Sequence, residues 1–195
     1  MRHLVLWSGG PDSTLSLIDA LKTNDPVVAL HVSIKFPPNP GRSPKWEYEL
    51  NRIRTLYPYL QKKYRPFDIN FNEFTLNNCR ISDILIMVPF AAGLCNYYQD
   101  IGKIWTGDDA VQDDGKMDNA LKQAIMLSIF GHRHPGTNLN IDYHPVPGTN
   151  RTKQQIRDEL GEELWQMAIS CRDPMLDGSV CNTCESCLER NSTHG

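Results

Sequence analysis

Short apolar runs and amphipathic segments alternate along the first part of the chain. The runs at 3–7, 27–34 and 101–106 are apolar enough to form buried strands. Between the first two runs, Leu17, Ile18 and Leu21 follow one side of a predicted helix over 14–23. The first 34 residues therefore predict a strand, a loop, a helix and a strand, which together form a right-handed unit with parallel strands.

The same alternation continues to residue 168. The patterns predict helices over 46–64, 82–99, 117–130 and 152–168, and strands over 67–76 and 141–146. We expect Pro58 to break or kink the first of these helices, and Gly161 to interrupt the last. Segment 35–45 contains four prolines, so we expect a mobile loop there. Strands and helices in alternation predict an α/β fold with a largely parallel sheet over 1–168, followed by a tail over 169–195.

Length and charge narrow the classes of function. The chain has 195 residues, 40% of them hydrophobic and 22% charged, which is typical of a folded protein with one core. Its formal net charge of −3 argues against a protein that coats nucleic acid by bulk electrostatics. The longest apolar run is too short to span a bilayer, so we expect no membrane contact. No signal-peptide core is visible at the start, so the expected location is the cytoplasm.

Four of the six cysteines lie in the last 25 residues and form the pattern Cys171-x9-Cys181-x2-Cys184-x2-Cys187. A disulfide scaffold would spread its cysteines along the chain, whereas this clustering is typical of a metal site. Four thiolates can surround one structural Zn²⁺ tetrahedrally. An iron–sulfur cluster, a redox-active pair and plain reduced cysteines are the alternatives. Cys79 and Cys95 stand apart and are interpreted as buried or incidental thiols.

The second candidate site is the loop between the first strand and the first helix, Ser8-Gly9-Gly10-Pro11-Asp12-Ser13. Two glycines let the backbone approach a ligand closely. Ser13 and Thr14 open a helix whose free amides and dipole favour an anion such as phosphate. The loop has neither the lysine of a Walker motif nor the three-glycine dinucleotide pattern. A simple tight turn is the alternative interpretation.

Ser-Gly-Gly-x-Asp-Ser after an N-terminal strand resembles the PP-loop of the ATP pyrophosphatase superfamily, which has a Rossmann-like fold. Enzymes of this superfamily bind ATP, transfer adenylate to an acceptor oxygen and release pyrophosphate. The resemblance implies that the adenine lies near His31 and Ser33, at the end of the second strand. It implies phosphate binding, with Mg²⁺, by the loop and the start of the helix: Ser8, Gly9, Gly10, Asp12, Ser13 and Thr14.

The loop and the tail together resemble the 7-cyano-7-deazaguanine synthase family. The matching tail runs from Ser170-Cys171 to Cys181-Asn182-Thr183-Cys184-Glu185-Ser186-Cys187-Leu188-Glu189-Arg190. Members of that family use ATP to convert 7-carboxy-7-deazaguanine and ammonia into the nitrile, through an amide. The resemblance implies one structural Zn²⁺ per chain, held by the four cysteines. It also implies small-molecule substrates rather than nucleic acid, and it is compatible with a homodimer.

The middle of the chain supplies four candidate catalytic residues. Arg80 stands where the family has a Pro-x-Arg-Asn segment, and Asp108 and Asp118 match an acidic region before the substrate pocket. Thr152-Lys153-Gln154-Gln155-Ile156 resembles the family's Ser-Lys-x-Glu-Ile, which implies that Lys153 contacts phosphate. Adenylation needs positioning and charge stabilisation rather than a protein nucleophile, and the sequence shows no nucleophilic triad.

Segment 33–38 departs from the Asp-Tyr-Gly-Gln type of sequence that the family has there. This difference supports a second hypothesis, a divergent enzyme that adenylates another acceptor, such as a nucleobase joined to a protein terminus or a transfer RNA. A third hypothesis is a zinc-ribbon module that binds nucleic acid or protein without catalysis. The complete Ser-Gly-Gly-x-Asp-Ser loop argues against the third.

Overall fold

The computed structural model describes residues 1–76, 83–107, 142–145 and 151–192. The predicted helix over 117–130 and the candidates Arg80, Asp108 and Asp118 lie outside these residues, as does Cys79. Within the described ranges, no helix is both long and apolar enough to cross a membrane.

Five parallel strands form one sheet in the order β3-β2-β1-β4-β5. Their bounds are β1 (Arg2–Leu6), β2 (Val27–Lys35), β3 (Asp68–Thr75), β4 (Ile101–Thr106) and β5 (Asp142–Pro145). The parallel α/β fold predicted from the alternating pattern is therefore confirmed. The chain order reverses between β1 and β4, and ligands of such sheets bind outside the carboxyl ends of the strands at that reversal.

Helices cover both faces of the sheet. Their bounds are α1 (Pro11–Leu21), α2 (Lys45–Lys63), α3 (Asp83–Tyr98), α4 (Lys153–Met167) and α5 (Glu185–Ser192). The first, second and fourth helices share one apolar core with Val5 and Trp7, while α3 packs with Leu4 and Leu6. Successive residues of β1 thus point to opposite cores, as the pleat of a strand requires.

Several predicted boundaries shift for identifiable reasons. Helix α1 begins at Pro11 rather than at residue 14, because proline has a suitable φ for the first helical position and no amide that needs a partner. The break predicted at Pro58 is wrong: α2 continues through this exposed residue, while Leu56 and Leu60 on either side are fully buried. The interruption predicted at Gly161 is confirmed by its φ of 75° inside α4.

Segment 36–44 connects β2 to α2 and is joined to the cysteine-rich tail. Arg42 forms an isolated antiparallel bridge with Met175, and the Ser43 amide donates to the Pro174 carbonyl at 3.0 Å. Asn39 also donates a hydrogen bond to Asp173 at 3.1 Å. The proline-rich loop expected from the sequence is therefore fastened to the tail by backbone and side-chain contacts.

Candidate functional site

The loop after β1 lies at the sheet edge where the strand order reverses, beside the end of β4. A Cβ atom on Gly107 would lie 2.6 Å from the Ser13 amide nitrogen, so only glycine lets the start of α1 rest against this strand end. The Ser16 hydroxyl donates to the Thr106 carbonyl at 3.0 Å. These contacts fix the N-terminus of α1 at the carboxyl edge of the sheet. The sequence patterns did not single out Ser16, whose partner lies 90 residues away.

Residues 8–13, which we call the phosphate loop, are held by their own hydroxyl groups. The Ser8 amide donates to the Ser13 hydroxyl at 3.2 Å, and that hydroxyl donates to the Gly10 carbonyl at 3.2 Å. The two serine hydroxyls lie 3.0 Å apart. Gly9 has a φ of +81°, a conformation that glycine adopts at low cost. No described side chain caps α1, so its N-terminus keeps the amides and dipole that attract an anion.

Lys153 reaches the phosphate loop from the start of α4. Its Nζ lies 2.8 Å from both carboxylate oxygens of Asp12, and each of the two side chains is 24% exposed. The position of the lysine is fixed by a capping box, in which Thr152 and Gln155 exchange hydrogen bonds of 2.7 and 3.2 Å. The structure thus brings together two residues that the sequence placed in separate motifs.

The remaining candidates of the nucleotide site lie in the interior. Thr14 is fully buried and accepts a hydrogen bond from the Trp7 indole at 3.1 Å. His31 Nδ1 lies 3.1 Å from the Trp7 carbonyl and Nε2 lies 3.1 Å from the Ser33 hydroxyl. Because a carbonyl only accepts, Nδ1 carries the proton and Nε2 accepts from Ser33. His31 therefore ties β2 to Trp7 at the end of β1, and Ser33 holds the His31 ring in place.

Burial lowers the pKa of His31 from 6.5 to about 4, despite its bond to the Trp7 carbonyl, and the nearby Lys45 lowers it further. His31 is 1% exposed and neutral near pH 7. A neutral imidazole supplies no positive charge to a phosphate. His31 therefore acts at this edge of the sheet through its two hydrogen bonds.

The four predicted metal ligands converge on one point. The sulfur atoms of Cys171, Cys181, Cys184 and Cys187 all lie within 4.8 Å of one another. Backbone amides point at them: those of Thr183 and Cys184 donate to Cys181 at 3.5 and 3.2 Å. Burial alone raises the pKa of Cys181, but these hydrogen bonds outweigh it and lower the pKa to about 6. Burial raises the pKa of the Cys171 and Cys187 thiols, so the hydrogen bonds distinguish Cys181 from these two neighbours.

The spacing of the sulfur atoms fits a single ion. Three measured sulfur separations are 3.4, 3.9 and 4.0 Å. A tetrahedral ion with metal–sulfur bonds of about 2.3 Å holds its sulfurs about 3.8 Å apart. An iron–sulfur cluster is larger than one ion and needs a wider opening between its cysteines. The four cysteines are thus placed where they could together hold one metal ion.

No family model matches this sequence, and no curated protein matches it. Among solved structures, the fold is similar to a 4-thiouridine synthetase in complex with RNA and bound ATP, with 14% identity and a TM-score of 0.57. That match covers 93% of this chain and 44% of the other chain.

The fold is also similar to the U34-tRNA thiolase NcsA from Methanococcus maripaludis with its 4Fe-4S cluster, with 12% identity and a TM-score of 0.50. That match covers all of this chain and 63% of the thiolase, so the chain spans about half the length of these two proteins. The likeness shows a shared fold. The parallel α/β fold that the sequence predicted is confirmed.

Proposed function

We propose that this protein binds ATP with Mg²⁺ at the phosphate loop, transfers adenylate to an acceptor and releases pyrophosphate. The observation that carries this proposal is the contact of Lys153 Nζ with Asp12 at 2.8 Å, at the mouth of an uncapped helix. A cation, two serine hydroxyls and a helix N-terminus then belong to one loop and its contacts, at the reversal of strand order. This is a combination suited to a polyphosphate.

In the proposed reaction, the chain contributes position and charge. Lys153 would stabilise the negative charge that develops as the bond between the α- and β-phosphates breaks, while Asp12 orients the lysine. The carboxylate oxygens of Asp12 and Asp108 are the kind of ligand that Mg²⁺ prefers. Arg80 and Asp118 remain proposed contacts for the acceptor. The adenine is proposed to lie near His31 and Ser33, at the end of β2.

For the acceptor, we propose 7-carboxy-7-deazaguanine, with ammonia as the second substrate. The carboxylate would attack ATP to give an acyl adenylate and pyrophosphate, and ammonia would displace AMP to give the amide. The amide oxygen would then attack a second ATP and release a second pyrophosphate and a proton, and loss of AMP and another proton from this adenylate would give the nitrile. Support for this acceptor comes from the tail motif 170–190 occurring together with the phosphate loop in one chain. A neighbouring copy in a homodimer would complete the site.

The metal in the proposed enzyme is one structural Zn²⁺. Four cysteine ligands fill its coordination shell and leave no open position for catalysis. The sulfur separations of 3.4 to 4.0 Å support one ion over an iron–sulfur cluster. When bound, the ion supplies folding energy to the tail rather than chemistry.

A transfer RNA is the second candidate acceptor. The two similar solved structures are a 4-thiouridine synthetase bound to RNA and a U34-tRNA thiolase. Their names do not support the expectation that this protein has no nucleic-acid partner. Segment 33–38, which departs from the deazaguanine pattern, lies at the end of β2 beside the proposed adenine position. An RNA acceptor would use the same adenylation chemistry.

The test is incubation with ATP, Mg²⁺, ammonia and 7-carboxy-7-deazaguanine, with detection of AMP, pyrophosphate and the mass of the nitrile. In Lys153→Met we expect turnover to fall at least about 100-fold, whereas the exposed Lys22→Met stays at the wild-type rate. Turnover with unmodified transfer RNA but not with the acid would replace the first acceptor by the second. Absence of AMP with either acceptor contradicts the proposed function.

A further inference from the structure

The phosphate loop and the cysteine tail, residues 169–192, lie against each other. A Cβ atom on Gly10 would lie 3.7 Å from Cβ of Ser170, the residue that immediately precedes the metal ligand Cys171. The two sites are about 160 residues apart in sequence, but a single backbone step separates a ligand from a contact with the loop. Ser170 of the tail therefore lies beside the loop.

Helix α2 makes a second connection between the same two sites. Tyr48 is buried in a cluster with Cys171 and Cys187. One turn further along, Arg52 donates a hydrogen bond to the Tyr48 hydroxyl at 3.1 Å, and its guanidinium carbon lies 4.7 Å from the centre of the Tyr48 ring. The stem of Arg52 and the side chain of Ile53 border Gly9, at 3.9 and 3.0 Å from an added Cβ.

Charge gives Arg52 a function in this connection. Four thiolates around one divalent ion carry a net charge of −2, and this charge would lie in the cluster that Tyr48 shares with Cys171 and Cys187. Arg172, the cation next to Cys171 in sequence, is already bound to Glu185 at 2.6 Å. Arg52 contacts Tyr48 and is half-buried, so water would only partly screen its charge from that of the metal site.

We propose that metal binding at the cysteine tail and ATP binding at the phosphate loop are energetically coupled, and that Arg52 is the positioning residue that couples them. Its charge offsets the metal–thiolate group through Tyr48, while its stem supports Gly9. The inference rests on the proposed ATP site. By linkage, ATP must raise the affinity for metal by the same factor by which metal raises the affinity for ATP.

The first measurement is the equilibrium affinity for Zn²⁺, determined by competition with a chromophoric chelator, with and without a non-hydrolysable ATP analogue and Mg²⁺. We expect the analogue to tighten zinc binding about tenfold, within the usual range of coupling between two sites. The affinity of the metal-free and zinc-loaded protein for the analogue must then differ by the same factor.

The second measurement compares variants of two arginines on α2. In Arg52→Met the apolar stem is kept and the charge is lost, so we expect zinc affinity without nucleotide to fall about tenfold and the coupling factor to fall below about twofold. Arg52→Lys keeps the charge and should recover most of the zinc affinity. The exposed Arg54→Met is the control and should match the wild type. Thermal denaturation of each zinc-loaded variant checks that α2 is folded.

The outcomes separate this inference from the proposed function. If the analogue binds but its affinity is the same with and without zinc, or if Arg52→Met keeps the full coupling factor, the inference is overturned. If the wild-type protein binds no analogue, the proposed ATP site is wrong, and the coupling fails with it. Zinc affinity measured without nucleotide still tests Arg52 in that case, because an unchanged value in Arg52→Met removes its role at the metal site.

Discussion

The phosphate loop and the cysteine tail are stabilised in different ways. The loop follows a buried strand, and its neighbours Trp7, Thr14 and Ile53 are each fully buried. The tail has little apolar burial: Leu176 and Leu188 are 72% and 56% exposed. We therefore expect the sheet and its helices to hold the loop without any ligand, and the tail to depend on the proposed metal for its folding energy. Two sites in contact thus have separate sources of stability.

The largest expected effect comes from removing one metal ligand. Cys184→Ser should lose zinc almost completely, because a structural zinc site contributes about 10 kcal/mol or more of binding energy and needs all four thiolates. The far-UV circular dichroism of the parallel sheet and its helices should change little. Elemental analysis and circular dichroism of the purified protein check the two parts.

The matched control is Cys95→Ala, which removes a buried cysteine in α3 that packs with the other core of the sheet. It should keep about one zinc per chain. If Cys184→Ser unfolds the whole chain, the contrast between the two regions is wrong, because the sheet would then depend on metal as well.

The next effect belongs to the loop region and depends on pH. Burial holds the pKa of His31 at about 4 in the folded protein, against 6.5 when it is exposed. The unfolded chain therefore binds a proton between these values and the folded chain does not, so stability is full above pH 6.5 and is lost as the pH falls toward 4. The loss due to His31 should reach about 3 kcal/mol.

Urea unfolding measures this loss. Zinc-free protein is unfolded at pH 7 and at pH 4.5, and zinc-loaded protein is unfolded at pH 7 for comparison. The variant His31→Gln should be less stable at pH 7 but should lose less stability on acidification. An equal loss in the wild type and the variant would show that other groups titrate and that His31 is not the cause.

A smaller effect is expected where the loop rests on β4. Gly107→Ala places a methyl group 2.6 Å from the Ser13 amide, which should cost about 2 kcal/mol of stability and displace the start of α1. In Gly93→Ala nothing lies within 4 Å of the new Cβ inside α3, so stability should rise slightly. Both variants should retain zinc. Denaturant midpoints measure the pair, and equal midpoints would contradict the close packing of α1 on β4.

The smallest effect should follow the loss of the cap that holds Lys153. Thr152→Ala removes one half of the capping box and should cost about 1 kcal/mol. Thr55→Ala, at an exposed position inside α2, is the control and should change stability by less than about 0.5 kcal/mol. Urea unfolding compares them. No difference between the two variants would mean that the box does not fix the start of α4.

Local patterns were enough to predict most of the fold. The bounds of β4 agree with the predicted strand 101–106. A short apolar run with polar residues on both sides is typical of a buried strand, so the pattern alone indicated its ends. The prediction of a break at Pro58 failed because proline removes one amide on an exposed face, while the buried leucines on both sides keep the helix packed.

The candidate site was only partly visible in the sequence. The four cysteines are close in sequence, so their spacing predicted their convergence. The contact of Lys153 with Asp12 spans 141 residues and was not predicted, because the family resemblance implied only that each residue contacts phosphate. Nothing in the pattern around Tyr48 and Arg52 indicates the cysteine tail, because the cysteines that pack with Tyr48 lie more than 100 residues later. Such long-range contacts depend on the folded chain.

The central claim is that the phosphate loop directs cleavage of ATP between its α- and β-phosphates. The most direct measurement is the identity of the products when the zinc-loaded protein turns over ATP with Mg²⁺, ammonia and 7-carboxy-7-deazaguanine, or with transfer RNA. We expect the wild type to form AMP and pyrophosphate and Lys153→Met to form neither. Formation of ADP and phosphate, or equal turnover by wild type and Lys153→Met, would contradict it.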